Sequence, residues 1–221
     1  AQLACMPYGS GNDFVKNFTK RENFLNIEKQ INGSPVPVDV IQFNDSYCIN
    51  MLNIGTDCDI AIESEKMRER GIKGPASYMA AALKVLPNVK NCCMCYKDEN
   101  GVDVCESVLL VAVGNGRFCG GGFKGCPKAS ISDGLMDIGI ITPPKGSMLL
   151  KLLMKFRGGT HITDKDCSQY VTYRQLSEFA LSPQDSLSVS VDGEIEPFHE
   201  THFKVLPKAI NFSIPLGSEP L

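Results

Sequence analysis

Four short segments of this 221-residue chain hold residue types at spacings suited to phosphate or proton chemistry. The first is Pro7-Tyr8-Gly9-Ser10-Gly11-Asn12-Asp13-Phe14, a glycine-punctuated polar loop running into Phe14, Val15 and Phe18 at helical spacing. A loop-to-helix junction presents free N–H groups and the positive end of a helix dipole to an anion. Ser10 and the loop N–H groups would hold a nucleotide phosphate there, while Asn12 or Asp13 caps the helix. A plain turn with a cap accounts for the same residues, and neither G-x-x-x-x-G-K-[ST] nor G-x-G-x-x-G is matched. The second segment, Asp192-Gly193-Glu194, sets two carboxylates around a glycine after an alternating run. It reads as a type I′ or bulged hairpin turn, and Glu194 in it could act as a general base toward a hydroxyl.

The third segment, Gly114 to Gly122, is denser in glycine than a connection needs. Arg117 within it would pair with phosphate, or else it is simply solvated. In the fourth, Asp133-Gly134 precedes an expected strand and offers a carboxylate beside free carbonyls, which suits a hard cation or a plain turn. No Ser/His/Asp or Cys/His constellation is present, and His161, His199 and His202 do not form a ligand cluster. Ten cysteines are irregularly spaced. Cys92 and Cys95 form a C-x-x-C step, but within an expected strand, Val89 to Tyr96, their side chains point to opposite faces. Buried free thiols in a reducing cytoplasm are the expectation.

Positioning these segments requires a strand-rich framework. Val36, Val38 and Val40 alternate with polar or turn-forming residues, and strands are expected at 34–43 and 47–54. A charged helix follows at 63–70, and a second at 75–86 with Pro75 near its first position. A hairpin runs through Asn100-Gly101 with strands at 89–96 and 102–113, then come a strand at 136–141 and an apolar-rich helix at 146–156. Short alternating strands fill 170–214. The fold class is α+β and strand-rich, with a β-sandwich-like domain. A net charge of −3 and a pI near 5.7 leave no basic nucleic-acid footprint. No apolar run approaches the ~20 residues of a membrane-spanning helix.

In order and spacing, these segments resemble the catalytic domain of the diacylglycerol kinase family of lipid kinases. Pro7-x-Gly9-Ser10-Gly11-Asn12-Asp13-Phe14 is similar to its P-x-G-T-G-N-D-[FL] element, with Ser10 for threonine. Gly114-Asn115-Gly116, Gly120-Gly121-Gly122, Pro127-x-Ala129 and Asp133-Gly134-Leu135-Met136-Asp137 resemble a second element, and Asp192-Gly193-Glu194 a late D-G-E. Asn53-Ile54-Gly55 with Asp57 or Asp59 is a looser match. The resemblance implies a cleft between an α/β nucleotide lobe and a β-sandwich lobe. The family's G-G-D-G-T loop is not in this sequence, so residues 1–33 are expected to be the tail of the nucleotide lobe and 34–221 the sandwich domain.

On that resemblance, Gly9, Ser10, Gly11 and Asn12 would bind ATP and Glu194 would accept the proton. The Asp133 carboxylate and the backbone carbonyls of Ser130 and Leu135 would hold Mg2+. The implied reaction moves the γ-phosphoryl group of ATP to a lipid hydroxyl, chiefly that of diacylglycerol, giving phosphatidic acid. The enzyme would be cytoplasmic, with transient contact to a membrane surface, no nucleic-acid partner and dimerisation left open. A sphingoid base or phosphatidylglycerol is an alternative acceptor, and a non-catalytic sandwich module an alternative role. Without G-G-D-G-T the isolated chain is expected to be inactive.

Overall fold

The alternating segments assemble into two stacked sheets, seen in a computed structural model that describes residues 2–221. In chain order the elements are β1 (Gln2–Leu3), α1 (Ile27–Ile31), β2 (Ser34–Phe43), β3 (Ser46–Cys48), β4 (Met51–Gly55), α2 (Thr56–Glu69) and α3 (Pro75–Val85). Then follow β5 (Cys92–Lys97), β6 (Asp103–Val108), β7 (Leu110–Gly114), β8 (Met136–Ile141), α4 (Met148–Gly158) and β9 (Val171–Leu176). The chain closes with β10 (Glu178–Pro183), β11 (Leu187–Val191), β12 (Glu194–Phe198) and β13 (Thr201–Ile214). One sheet has the order β3-β2-β13-β10-β5-β6, with β1 added in parallel to β13. The other runs β12-β11-β4-β7-β8-β9, and its neighbours are antiparallel throughout.

Three layers result. Side chains such as Phe43, Leu52, Ile54, Val111, Ile138, Phe179 and Phe203 interdigitate between the two sheets. The opposite face of the six-stranded sheet is covered by α2, α3 and α4 through Ile60, Met67, Ala82, Leu152 and Phe156. Strand β7 explains its own uninterrupted apolar run: Val111 and Val113 enter the sandwich core while Leu110 and Ala112 meet the helices. Each such large side chain removed from water contributes roughly 1.5–3 kcal/mol. A third cluster packs Val15, Phe18 and Phe24 on Phe212 and Ile214 of β13, with the Phe18 and Phe212 rings 5.7 Å apart. It fastens the opening segment to β2 and β13.

Several elements differ from the sequence expectation. The helix expected after Asp13 is only a 3₁₀ turn, Phe14–Asn17, because Phe18 turns extended to bury itself at 1% exposure. Helix α2 starts at Thr56 rather than Glu63. Its buried face mixes Asp57 and Ser64 with Cys58, Ile60 and Met67, so no clean apolar stripe marks it. The strand expected at 47–54 breaks between Cys48 and Met51, and the one at 102–113 breaks at Leu109, where the chain crosses from one sheet to the other. Cys95 and Cys105 face each other across β5 and β6 and are joined by a disulfide, which corrects the expectation that every cysteine is free. Strand register rather than sequence spacing makes that pair. The remaining eight are free, and Cys92 lies on the buried face that Cys95 avoids.

Candidate active site

The opening loop is shaped by its own side chains. Asn12 sits at φ 51, and Asp13 makes no capping bond. Lys16 Nζ donates to the Gly11 carbonyl at 2.7 Å and pairs with Asp13 Oδ1 at 2.6 Å. Asp13 Oδ2 accepts the Gly121 N–H at 2.8 Å, stitching this loop to the Gly120-Gly121-Gly122 run. Glycine is required at position 120, where φ is +54 and a Cβ would lie 2.7 Å from Tyr78 Cζ. With only four residues in the turn that follows, no helix dipole faces an anion. The loop N–H groups of residues 9–12 and the exposed Ser10 hydroxyl are what remains to meet one.

Asp192 and Gly193 have φ of 49° and 103°, the two positive values that a type I′ hairpin turn needs between β11 and β12. The Asp192 carboxylate accepts N–H bonds from Ile49 (2.9 Å), Asn50 (3.0 Å) and Met51 (2.9 Å), and the Cys48 thiol lies 3.2 Å away. Burial, then this carboxylate, push the Cys48 thiol pKa well up. Three buried asparagines complete the scaffold. Asn17 accepts the Arg117 N–H at 2.8 Å and donates to Asn50, Asn50 donates to the Phe118 carbonyl, and Asn115 donates to the Asp39 and Ile49 carbonyls. In the sequence this network leaves only one trace, an asparagine in each of the three segments that meet.

These contacts place the opening loop and the acidic turn on one cleft of about 480 Å3. Gly9, Ser10, Gly11, Asn12 and Glu194 are all among the residues that line it. Glu194 is exposed, and its carboxylate has no hydrogen-bond partner among the described residues. Next to the cleft lies a narrow apolar slot of about 50 Å3, walled by Leu149, Leu152, Leu153 and Phe156 of α4 and by Ile60 and Phe123. Asp57 and Tyr78 are common to both spaces. Asp57 is only 6% exposed, accepts no hydrogen bond among the described residues, and has its pKa pushed up to about 7 by burial and then by the Asp13 charge. The loose match had left Asp57 and Asp59 undecided; Asp59 is exposed and lines neither space.

Other candidates stand apart. Arg117 is a brace, its Nε donating to the Ala129 carbonyl and its guanidinium to the Leu221 carbonyl, and it does not line the cleft. Ser130, Asp133 and Leu135 also lie outside it. Asp133 is exposed; its Oδ1 accepts the Leu135 N–H at 3.0 Å, and the Gly134 N–H is held by buried Asp39 at 2.6 Å. One carboxylate oxygen is left for a cation, which fits Mg2+ held by a single acid, carbonyls and water. No cluster of three acidic, histidine or cysteine ligands occurs among the described residues. Helix α4 buries Leu152, Leu153 and Phe156, and its Lys151 and Lys155 pair with Asp164. No helix among the described residues is long and apolar enough to cross a membrane.

Comparison with known proteins agrees with this architecture. "Probable lipid kinase YegS-like" of Alcanivorax borkumensis is 27% identical over 219 residues, covering 98% of this chain and 71% of that protein. The Cronobacter sakazakii protein of the same name is 29% identical over 227 residues, covering 96% and 69%. Among solved structures, "a putative diacylglycerol kinase from Bacillus anthracis str. Sterne" superposes with a TM-score of 0.72 at 20% identity, covering 96% of this chain and 68% of that one. Residues 50–214 match the model of the YegS C-terminal NAD kinase beta sandwich-like domain, and the chain belongs to that family.

Proposed function

We propose that this chain forms the acceptor side of an ATP-dependent lipid kinase, which transfers the γ-phosphoryl group to a lipid hydroxyl. The carrying observation is that the Ser10 loop and Glu194 line one cleft, which shares Asp57 and Tyr78 with an apolar slot. The names borne by the relatives support the same class of reaction. Phosphoryl transfer needs alignment, charge neutralisation and a group to take the attacking hydroxyl's proton. The N–H groups and Ser10 hydroxyl of residues 9–12 orient the phosphates. Asp13 is engaged by Lys16 and Gly121 and Asp57 is buried at the wall of the slot, so the exposed Glu194 carboxylate is assigned the proton. Mg2+ neutralises phosphate charge when bound with ATP; a further Mg2+ at Asp133, with the Ser130 and Leu135 carbonyls, would hold the 130–135 turn.

The slot supplies the entry for a hydrocarbon chain. As it stands it admits about four water-sized groups, so a longer chain displaces the α4 side chains. Leu150 and Met154 of α4 are about half exposed and offer a transient contact with the bilayer that holds the substrate. Diacylglycerol is the first acceptor to test, with phosphatidic acid as product. The 221 residues alone are expected to turn over little, for want of a second nucleotide loop. The test is transfer from radiolabelled ATP to dioleoylglycerol in mixed micelles by the full-length protein and its Glu194→Gln variant. At least a ~100-fold loss of kcat is expected, and undiminished transfer would refute Glu194 as proton acceptor.

A further inference from the structure

We propose, resting on the lipid-alcohol reading above, that Asp57 and Tyr78 form a headgroup subsite. It selects acceptors carrying a second hydrogen-bond donor, a hydroxyl or an ammonium, beside the hydroxyl that is phosphorylated. Position is the first argument. Asp57 follows β4 at the first turn of α2, and Tyr78 stands on α3 with its ring 4.9 Å from that of Phe123. They are the two residues that line both the polar cleft and the apolar slot. An amphiphile with its chain in the slot and its reacting hydroxyl toward Glu194 must cross this junction with its headgroup.

The second argument is unmet hydrogen bonding. Asp57 is 6% exposed and Tyr78 9% exposed, yet neither the carboxyl nor the phenol has a partner among the described residues. Their oxygens are not sealed off from solvent, and both residues line the cleft, so the two groups stand free to meet a ligand there. Asn53, at 4% exposure in the same cleft, goes further: its Oδ1 is buried with no partner among the described residues, where buried polar groups are ordinarily satisfied. Asp57 and Asn53 thus both present acceptors, and the complement of acceptors is a ligand donor. Burial of Asp57 already disfavours its ionised form, and a donor or a cation would relieve that. Diacylglycerol has one hydroxyl, which is consumed in the transfer, and otherwise offers ester acceptors. Monoacylglycerols and long-chain amino diols keep a further donor within one or two carbons.

The test compares dioleoylglycerol, mono-oleoylglycerol and sphinganine as acceptors for the full-length protein. The native form is set against Asp57→Leu, Asp57→Asn and Tyr78→Phe, with kcat/KM read for each acceptor. The native protein is expected to favour the two-donor lipids over dioleoylglycerol by tenfold or more. Asp57→Leu should bring that ratio near one, mainly through KM. Asp57→Asn, which is isosteric and serves should the leucine variant misfold, should lose the preference for the amine while keeping part of that for the diol. A preference that survives in both Asp57 variants, or a native preference for dioleoylglycerol, overturns the subsite but leaves the lipid kinase reading standing. Labelling of no lipid at all by the native protein would overturn both.

Discussion

Asp192 and Asp57 line the same cleft and do opposite things with the same side chain. Asp192 is saturated: three backbone N–H groups and a thiol converge on it, and it fixes the bend between β3 and β4. Asp57 is buried more deeply and accepts nothing among the described residues. A carboxylate that holds a turn is a structural part, and its loss is felt in stability. A carboxylate kept bare at the junction of a polar and an apolar space is costly to the fold, and such a cost persists where a ligand uses it. Asp39 stands with Asp192. Fully buried, it accepts the Gly134 and Lys208 N–H groups, both at 2.6 Å, and ties the 130–135 turn to the irregularity in β13.

The contrast breaks most visibly on mutation. Asp192→Ala orphans three N–H groups and should destabilise the protein by about 3–5 kcal/mol, read by urea denaturation. A loss below about 1 kcal/mol would show that water replaces the carboxylate and that Asp192 is no clamp. Asp57→Asn should do the reverse, and with a pH signature. Below about pH 4 the acid is protonated in both folded and unfolded chains and contributes nothing. Between there and about pH 7 only the unfolded chain ionises, so native stability falls by about 1.4 kcal/mol per pH unit, to about 4 kcal/mol in all. Asp57→Asn removes that loss; it should match the native protein near pH 4 and exceed it at pH 7.5. Equal stability at both pH values would mean that Asp57 is solvated. The smallest effect is expected at the wall between the two spaces. Gly120→Ala, at φ +54 and against the Tyr78 ring, should cost about 1–2 kcal/mol and shift Tyr78, altering acceptor preference more than ATP affinity.

What sequence revealed follows from how local each signal is. The Asp192-Gly193 hairpin is legible because both turn positions take positive φ, which few residue types tolerate; in the Asn100-Gly101 hairpin only Gly101 does so. Helix α3 is legible from Pro75 and its spacing. Asp57 was almost hidden, since the polar residues that face the cleft from α2 blur the periodicity that would have announced the helix. Asp39 leaves no trace, because its partners are 95 and 169 residues away in the chain. The Cys95–Cys105 bond needs strand register, and the collapsed helix after Asp13 was decided by tertiary burial of Phe18. For Arg117 neither phosphate pairing nor plain solvation is found: its Nε and one guanidinium NH2 donate to the Ala129 and Leu221 carbonyls, distant contacts that sequence does not show.

The central claim is that cleft and slot act as one site, entered by an amphiphile across Asp57 and Tyr78. Photolabelling tests it most directly. A lipid alcohol with a diazirine near the end of its acyl chain would be irradiated with the full-length protein and ATP, and adducts mapped by mass spectrometry. Labels concentrated on Leu149, Leu152, Leu153 and Phe156, and lost in competition with unlabelled lipid alcohol, are expected. Competable labelling confined to surfaces outside the slot would contradict the claim.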